Sequence, residues 1–521
     1  MTRDILIGVD AGTSVIKSVA FTTTGEQIAV AAVPNHYDAV PCGGIEQDLS
    51  RTWTDTAATL RQLGECIPDL SRRVVAIGVT GQGDGTWLID AAGDPVAPGW
   101  LWLDSRAASI AEDFIGHPAY PAHYESTGTG VNACQQSVQL VWLKRHRPEI
   151  IVRAATAFHC KDWLYFRMTG RRVTDPSEAN FTFGDFRTRQ YRPGILRALD
   201  AADCERLLPP IVDGRRESDQ LQSTAARETG LPEGTPVVLA YLDVICTALG
   251  GGLLDRDGSI GCSIFGSTGM HMRLAMTPDR VQLNSERSGY TMAFPVSDAC
   301  AQMQSNMAAT LNIDWLLEVA REILAMADVE RSRRNLLAGM DDSVLAAAAG
   351  SAIFHPYISP AGERGPFLEP AARAQFTGLQ ASAGYFALMR AVYEGLCFAA
   401  RDCYAAMGVA PEEVRVAGGA ARSLALRRIL ASVLRSRVRA VAREEAGASG
   451  AAMIAAVQQR LFPDMPACVG TWVDPLLGEA EGVDEQLAAT YDTLFPIYLE
   501  TRKAMRPIWR SLRSVRDGEA I

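Results

Sequence analysis

The sequence predicts an α/β protein that contains two similar domains. Apolar segments with strand periodicity alternate with amphipathic helical segments, which is typical of a sheet covered by helices. One short strand ends at Asp10 and leads at once into a turn of small residues. A similar strand and turn, SIGCSIFGSTG, occur around Gly266 in the second half. Two turns of this composition, one in each half, indicate two related domains that close on one nucleotide.

Length, charge and cysteine content restrict the class of protein. The 521 residues suffice for two or three domains. The net charge of −10 argues against a nucleic-acid-binding surface. The 11 cysteines are scattered without a CxxC pair, which is typical of reduced thiols. No secretory signal or bilayer-spanning segment is evident. We therefore expect a cytoplasmic protein with no nucleic-acid or membrane partner, and the oligomeric state stays open, a homodimer included.

The spacing of apolar residues predicts the strands and helices of the first half. Alternating apolar residues predict three strands, over 5–9, 15–21 and 28–32, joined by tight turns. Helical periodicity follows over 50–63, with Ser50 as the expected N-cap. The segment VVAIGVTGQGDGTWLID then predicts a strand, a glycine-broken turn and another strand.

Glycines indicate a domain boundary and mark the ends of several predicted elements in the second half. The run Gly250–Gly252 is the expected domain boundary, which gives domains over 1–250 and 251–505 and a basic tail over 506–521. The strand VRVAGG precedes a helix that Ser423 is expected to cap, and EEAGASGAAMIAA predicts a tightly packed small-residue helix. A long helix over 384–407 should direct one face to the core: Phe386, Met389, Tyr393, Leu396, Ala400, Cys403 and Met407.

The turn after the first strand has the composition of a phosphate site. Gly12 permits close backbone approach, and Thr13 and Ser14 add hydroxyl groups to the free amides of the turn. Asp10 could order Mg²⁺, and Lys17 would add a cation if it turned inward. A plain hairpin turn explains the same residues equally well. The second turn, at Gly266, Ser267 and Thr268, favours the functional interpretation.

Four other segments contain residues that could form part of a functional site. Asp243 follows the apolar strand PVVLAYL, where it could serve as a general base or simply cap the next helix. The loop Gln82-Gly83-Asp84 could bind polyol hydroxyls or form an ordinary turn. Asp104 and Arg106 would face one side of a strand, as a structural ion pair or a substrate clamp. The junction Gly418-Gly419-Ala420 would admit an adenine or ribose, although packing alone also explains such glycines.

Several common catalytic patterns are missing from the sequence. The 7 histidines lack metal-ligand spacing. A GxSxG elbow, a P-loop with GK[ST] and a GxGxxG fingerprint are also absent.

Taken together, these segments resemble the FGGY carbohydrate kinases of the actin and sugar-kinase superfamily. The resemblance extends from GVDAGTSVIK to about Leu499 and depends on the order of many segments rather than on any single one. The further matching segments are GQGDG, LWLDSRA, KDWLYFRMTG, TDPSEAN, LDVICTALGGG, FGSTG, HPYISPAGERGPFLEPAARAQFTGL, EGLCFAARD, VAGGAARSLALRRILASVL and EEAGASGAA.

The resemblance implies a fold, cofactors and residue roles. It implies two RNase-H-like domains flanking a cleft that holds ATP and Mg²⁺, with the catalytic base in the N-terminal domain and the nucleotide on the C-terminal side. Asp243 matches the base and Asp10 the metal contact. The matching ATP-side residues are Gly12, Thr13, Ser14, Lys17, Gly266, Ser267, Thr268, Gly418, Gly419, Ala420 and Ser423, and the matching substrate-side residues are Gln82, Gly83, Asp84, Asp104 and Asp243 itself.

Departures from the family pattern bear on the substrate. Leu242 and Val244 flank the base where the family often has glycine and a polar amide, which points away from glycerol and xylulose. The loop GQGDG differs from NQRE of glycerol kinases and GQMHG of xylulose kinases. This loop and LWLDSRAA look most like those of bacterial erythritol kinases, which implies phosphorylation of erythritol to erythritol 4-phosphate. L-xylulose, ribulose, xylulose, glycerol or another short polyol stay as alternatives.

A different class of function is a non-catalytic, actin-like ATP switch that controls a partner protein. Asp243, Asp84 and Asp104 together favour the kinase, because a switch needs no substrate-binding carboxylates. A sugar-sensing regulator would need a basic DNA-binding segment, and neither end of the sequence contains one.

Overall fold

A computed structural model describes residues 3–517. The first half consists of a six-stranded sheet, helices on its faces and small accessory sheets. Its strands are β1 (Ile5–Ala11), β2 (Val15–Thr22), β3 (Gln27–Pro34), β4 (Asp38–Val40), β5 (Gly44–Gln47), β6 (Val74–Gly81), β7 (Trp87–Ile89), β8 (Gly99–Trp100), β9 (Thr156–Phe158), β10 (Gly184–Asp185), β11 (Gln190–Tyr191), β12 (Asp219–Gln220) and β13 (Pro236–Leu239). Its helices are α1 (Leu49–Cys66), α2 (Leu70–Arg73), α3 (Ala108–Ile115), α4 (Tyr120–Thr127), α5 (Gln136–His146), α6 (Pro148–Arg153), α7 (Cys160–Thr169), α8 (Pro176–Phe183), α9 (Gly194–Ala198), α10 (Ser223–Thr229) and α11 (Asp243–Gly250).

The second half is built around a seven-stranded sheet and ends in a long helix. Its strands are β14 (Ile260–Phe265), β15 (Gly269–Ala275), β16 (Tyr290–Ala293), β17 (Cys300–Asn306), β18 (Ile353–His355), β19 (Gln375–Thr377), β20 (Glu413–Ala417), β21 (Arg437–Val441) and β22 (Leu477–Glu481). Its helices are α12 (Thr310–Ala325), α13 (Arg333–Leu337), α14 (Met340–Ala346), α15 (Tyr385–Ala406), α16 (Leu424–Leu434), α17 (Ala446–Gln458), α18 (Met465–Trp472) and α19 (Glu485–Asp517).

The two large sheets share one topology. In the first, β1 pairs antiparallel with β2 and β2 with β3, while β6 and then β13 continue the sheet in parallel on the other side of β1. In the second, β14, β15 and β17 form the antiparallel part, and β20 and β21 the parallel part. The order β3-β2-β1-β6-β13 therefore recurs as β17-β15-β14-β20-β21. This repetition confirms the prediction of two related RNase-H-like domains.

Two equivalent helices lie between the sheets. Helix α11 follows the last parallel strand of the first sheet and α17 that of the second, and the two helices pack against each other. One hydrophobic cluster joins both helices to residues of both sheets, with Ala448, Ala451, Ala452 and Ala455 completely buried. The predicted small-residue helix is thus α17. Its alanines and glycines allow α11 and the neighbouring strands to pack closely against it.

Glycines bring the backbones of this layer into direct contact. A Cβ atom at Gly450 would lie 2.0 Å from the carbonyl oxygen of Cys246 in α11, and one at Gly250 would lie 2.2 Å from that of Ala446 in α17. A Cβ atom at Gly8 in β1 would lie 1.9 Å from the carbonyl oxygen of Ala448. Gly250, the first residue of the expected domain boundary, is packed at the end of α11.

Other sequence predictions need correction. Helix α1 is capped by Asp48, whose side chain accepts from the amides of Ser50 and Arg51, so Ser50 is not the N-cap. Phe386 is 45% exposed because it lies in the first turn of α15, before the helix enters the core, whereas the other predicted core residues of that helix are buried. Of the expected basic tail, residues 506–517 form the end of α19, and 518–521 lie outside the described residues. Within 3–517, no helix has the length and apolar character needed to cross a membrane.

Candidate active site

A cavity of about 220 Å³ lies where the two halves meet. Residues from both sheets and from the loops at their ends form its wall. The polar residues that line it are Thr13, Asp84, Asp243, Thr247, Thr268, Tyr290 and Arg364, and the apolar ones include Trp102, Phe181, Leu242, Val244, Met270, Met292 and Met303. The cavity therefore joins the first turn, the second turn, the GQGDG loop and the predicted base.

Asp243 is the first residue of α11, and its carboxylate faces this cavity. The chain crosses from β13 into the helix over three residues, and Leu242 donates its amide to Ser177 Oγ at 3.0 Å, which anchors the crossing. Asp243 Oδ1 accepts from the amide of Val244 at 2.6 Å. Burial, and after it the negative charge of Asp10, raise the pKa of Asp243 well above its usual range. Such a carboxylate has a strong tendency to take up a proton, as a general base requires.

Asp10 lies near the end of β1, from where its charge acts on Asp243. A Cβ atom at Gly447 of α17 would come within 2.3 Å of Asp10 Oδ2 and 3.3 Å of Thr247 Oγ1, so the glycine leaves room for this carboxylate. Burial raises the pKa of Asp10 to about 6, and Lys17 and Glu445 act on it in opposite directions. Lys17 is the cross-strand partner of Asp10. Its Nζ atom forms an ion pair with Glu445 Oε2 at 2.7 Å, so the predicted ATP-side cation has a carboxylate partner in the structure.

The first turn is held in place by its neighbours. Asn35 donates its side-chain amide to the carbonyl of Gly12 at 2.8 Å. Thr13 Oγ1 donates to Gln82 Oε1 at 2.9 Å and accepts from the indole of Trp102 at 2.7 Å. Gln82 is buried and acts on the turn rather than lining the cavity. Ser14 is exposed at the tip of the turn.

Asp84 lines the part of the cavity that the GQGDG loop forms. Its Oδ2 atom accepts from the thiol of Cys134 and the hydroxyl of Tyr290, both at 3.4 Å. Burial, followed by the charge of Glu178, raises the pKa of Asp84 to about 6. The backbone of Asp84 has a φ of 53°, which asparagine and aspartate tolerate better than most residues.

The loop of Asp84 rests on a buried cluster of charged residues. Glu178 Oε1 accepts from the amide of Asp84 at 3.3 Å, and its Oε2 atom lies 2.9 Å from His159 Nε2. Although burial alone would lower the pKa of His159, the charge of Glu178 and the other carboxylates raises it to about 9. A Cβ atom at Gly83 would lie 2.0 Å from Leu242 Cδ1 and 2.4 Å from Glu178 Oε1. Gly83 therefore permits the loop to lie against both the cluster and the base segment.

Asp104 lies outside the cavity wall. Its Oδ2 atom accepts from the amide of Ile45 at 2.9 Å and from Arg106 Nη2 at 2.6 Å. The guanidinium of Arg106 also stacks over the ring of Trp100, with 3.4 Å between Cζ and the ring centroid. These contacts are those of a structural ion pair, and the assignment of Asp104 to the substrate stays a prediction.

A second cavity, of about 520 Å³, lies next to the second turn and is lined by residues of the second half of the chain. Thr268 lines the first cavity and Ser267 the second, so the turn separates the two. Gly418 has a φ of 89°, and a Cβ atom there would lie 2.7 Å from the carbonyl oxygen of Phe265. Ser423 caps α16 as predicted and donates to Asp341 Oδ1 at 2.5 Å. The predicted residues that line this cavity are Gly266, Ser267, Gly419, Ala420 and Ser423.

Trp102, Arg364, Tyr290 and Asp341 are among the cavity residues that the sequence did not single out. Trp102 and Arg364 lie in quoted motifs, but no signal separated them from their neighbours. Tyr290 and Asp341 lie in segments without a recognisable pattern, and only the tertiary structure brings them to the cavities.

Comparison with known proteins identifies the family to which these two halves belong. The model of the FGGY family of carbohydrate kinases, N-terminal domain, matches residues 5–250, and the C-terminal domain model of the same family matches residues 261–459. The chain belongs to the FGGY family of carbohydrate kinases. It is thus a sugar or polyol kinase, and membership of the family implies ATP as the phosphoryl donor. Both the resemblance seen in the sequence and the predicted enzyme class are confirmed.

Relatives of the kinase cover nearly its whole length. It is 48% identical over 511 residues to "Erythritol kinase" of Brucella abortus (strain 2308), with 98% of each chain covered. It is 27% identical over 431 residues to "Xylulose kinase" of Escherichia coli (strain K12), with 82% of this chain and 84% of the relative covered.

Solved structures confirm the fold. The xylulose kinase from Rhodospirillum rubrum superposes with a TM-score of 0.87 at 25% identity, over 97% of this kinase and 100% of the other chain. The gluconate kinase from Lactobacillus acidophilus gives the same TM-score of 0.87 at 21% identity, over 98% and 99% of the two chains.

Proposed function

We propose that the kinase phosphorylates a terminal hydroxyl of erythritol, with ATP as donor and erythritol 4-phosphate as product. The 48% identity to a protein named erythritol kinase, over nearly the whole length of both chains, carries this proposal. The cavity of about 220 Å³ supports it, because a space of that size suits a short polyol. The proposal includes the division of the chain at Gly250, with the polyol on the N-terminal side and the nucleotide on the C-terminal side.

The proposed mechanism uses Asp243 as the general base. Its carboxylate accepts the proton of the terminal hydroxyl while the hydroxyl oxygen attacks the γ-phosphorus of ATP, and ADP leaves. The apolar wall around Asp243 excludes water from the attacking position, which protects ATP from hydrolysis. Gly266 to Thr268 are suited to the phosphates, because they lie between the two cavities. The cavity lined by Gly419 and Ala420 is large enough for an adenosine.

The residues around Asp10 fit a magnesium ion. The negative charge of Asp10 raises the pKa of Asp243, because two carboxylates repel each other. A divalent cation at Asp10 would relieve this repulsion. Within 3–517 no group of three or more metal-ligating side chains occurs, which suits Mg²⁺ that takes most of its ligands from water and phosphate oxygens. The ion would neutralise charge on the transferred phosphate.

A substrate screen tests the proposed function. Release of ADP by the purified kinase should be measured with erythritol, glycerol, xylulose, L-xylulose, ribulose and xylitol. We expect the highest kcat/KM with erythritol and very slow ATP hydrolysis without a polyol. A higher kcat/KM with any other acceptor would contradict the proposal, and ATP turnover that is independent of every polyol would favour the ATP switch.

Asp84→Asn should weaken polyol binding selectively. The substitution removes a charged hydrogen-bond acceptor, which is worth about 1–3 kcal/mol, so the KM for erythritol should rise roughly 10- to 100-fold. Asparagine tolerates the positive φ, and the KM for ATP should change less than about twofold. Asp94→Asn is the matched control, because Asp94 is exposed and lines neither cavity. Equal increases in both KM values would contradict the assignment of Asp84 to the substrate.

The pH dependence of the reaction should reflect the buried carboxylates. A base must be deprotonated to accept a proton, so kcat/KM should fall as the pH falls through the raised pKa of Asp243. The pKa values of about 6 for Asp10 and Asp84 act in the same direction. As the pH is lowered, kcat/KM for erythritol should therefore begin to fall at a pH above the usual pKa range of carboxyl groups. A kcat/KM that stays constant down to about pH 5 would contradict this expectation.

A further inference from the structure

Two oppositely charged residues, one from each half of the chain, line the substrate cavity, and each has a polar atom that the protein buries. These atoms are the carboxylate oxygen Oδ1 of Asp84 and the guanidinium nitrogen Nε of Arg364. In the part of the chain that the structure describes, neither atom has a hydrogen-bond partner. Both residues line the same cavity of about 220 Å³.

One further polar atom of each side chain has a partner in the protein. Asp84 Oδ2 accepts from Cys134 and Tyr290, and Arg364 Nη2 donates to Ser305 Oγ at 3.1 Å. The guanidinium also lies near the ring of Trp102, with 5.9 Å between Cζ and the ring centroid. Both side chains are thus held in position by their surroundings.

The carboxylate and the guanidinium attract each other, yet within 3–517 they form no direct ion pair. Each is among the charged groups that act on the pKa of the other. A buried polar atom without a partner costs free energy, and the methionine side chains of the cavity wall cannot supply one. A group that can both donate and accept a hydrogen bond would satisfy the two atoms at once. A hydroxyl is such a group.

We propose that Arg364 is a substrate-binding residue and that one internal hydroxyl of the polyol donates to Asp84 Oδ1 and accepts from Arg364 Nε. This inference deepens the proposed function and rests on it. The hydroxyl then links the N-terminal loop of Asp84 to the C-terminal loop of Arg364, so that a bound polyol holds the two halves together. Acceptors that lack this hydroxyl leave both charged groups unpaired and are rejected.

A cycle that combines a protein variant with a substrate analogue tests this hydroxyl bridge. 1,2,4-Butanetriol is erythritol without one internal hydroxyl. Because erythritol is a meso compound, removal of its C2 hydroxyl gives one enantiomer and removal of its C3 hydroxyl gives the other. kcat/KM should be measured for erythritol and for both enantiomers, with the wild type and with Arg364→Gln. Arg72→Gln, at an exposed arginine of α2, serves as the matched control.

The bridge predicts a specific pattern in this cycle. Arg364→Gln should lower kcat/KM for erythritol about 10- to 100-fold, mainly through KM, but should affect one enantiomer of butanetriol less than about threefold, because the lost contact is already absent there. The KM for ATP should stay unchanged. An equal loss for erythritol and both enantiomers, or a change confined to kcat or to the KM for ATP, would overturn the proposal.

Folding and the proposed function are checked separately. The melting temperature and the binding of ADP show whether Arg364→Gln is folded, and if it is not, Asp84→Asn enters the same cycle with the same expected pattern. A wild-type enzyme that phosphorylates no polyol would overturn the proposed function and the bridge with it. A wild-type enzyme that phosphorylates erythritol but shows equal losses would overturn the bridge alone.

Discussion

Replacement of Asp243 by asparagine is expected to lower kcat by roughly three orders of magnitude, because general-base catalysis contributes about 10²- to 10⁴-fold. Asparagine has nearly the same shape and can still accept from the amide of Val244 through its side-chain oxygen. It cannot take up the proton of the attacking hydroxyl. The measurements are kcat for erythritol phosphorylation and the Kd of ATP, and the Kd should stay nearly unchanged.

The control for this variant is Asp298→Asn, since Asp298 is exposed and lines neither cavity. It should retain wild-type kcat. If Asp243→Asn also retained wild-type turnover, another residue would have to serve as the base. If it lost activity together with ATP binding, the loss would reflect a damaged nucleotide site instead of a missing base.

Gly450→Ala should lower the stability of the fold substantially. The new methyl group would lie 2.0 Å from the carbonyl oxygen of Cys246, so α11 and α17 would have to move apart. Both helices are packed between the two sheets, and overpacking of this kind typically costs about 1–3 kcal/mol. We expect a melting temperature several degrees lower and a lower midpoint of urea unfolding.

Gly194→Ala is the matched control for this substitution. Gly194 also lies in a helix, α9, but no atom lies within 4 Å of a Cβ placed there. Alanine favours helices over glycine, so this variant should be as stable as the wild type or slightly more stable. Equal melting temperatures for Gly450→Ala and the wild type would mean that the helix layer can expand without cost.

Much of the fold and part of the site could be predicted from local sequence patterns. Asp10, Asp243 and the turn at Gly266 each follow a short apolar strand, and such a position is visible in a window of about ten residues. The capping role of Ser423 and the small-residue character of α17 are equally local. The motifs around Asp84 could be found for the same reason, although their role as a turn or a substrate loop stayed open.

The structure changed the interpretation of residues whose partners are distant in sequence. Lys17 pairs with Glu445, 428 positions away, so its charge is directed at a carboxylate of the other half. Asp104 is saturated by Arg106 and by the backbone of Ile45. Phe386 has the right helical spacing for the core but precedes the point at which α15 enters it.

The sequence by itself determined the two related domains, the two turns and the carboxylates at the strand ends, because periodicity and turn composition act over a few residues. Only the tertiary structure decided which groups share a cavity. From the other half of the chain, Tyr290 contacts Asp84 and Arg364 lines the same cavity. Gly447 makes room for Asp10 from a helix more than 400 positions away in sequence. These contacts arise from the packing of two sheets on a shared helix layer, and no local pattern encodes the distance between them.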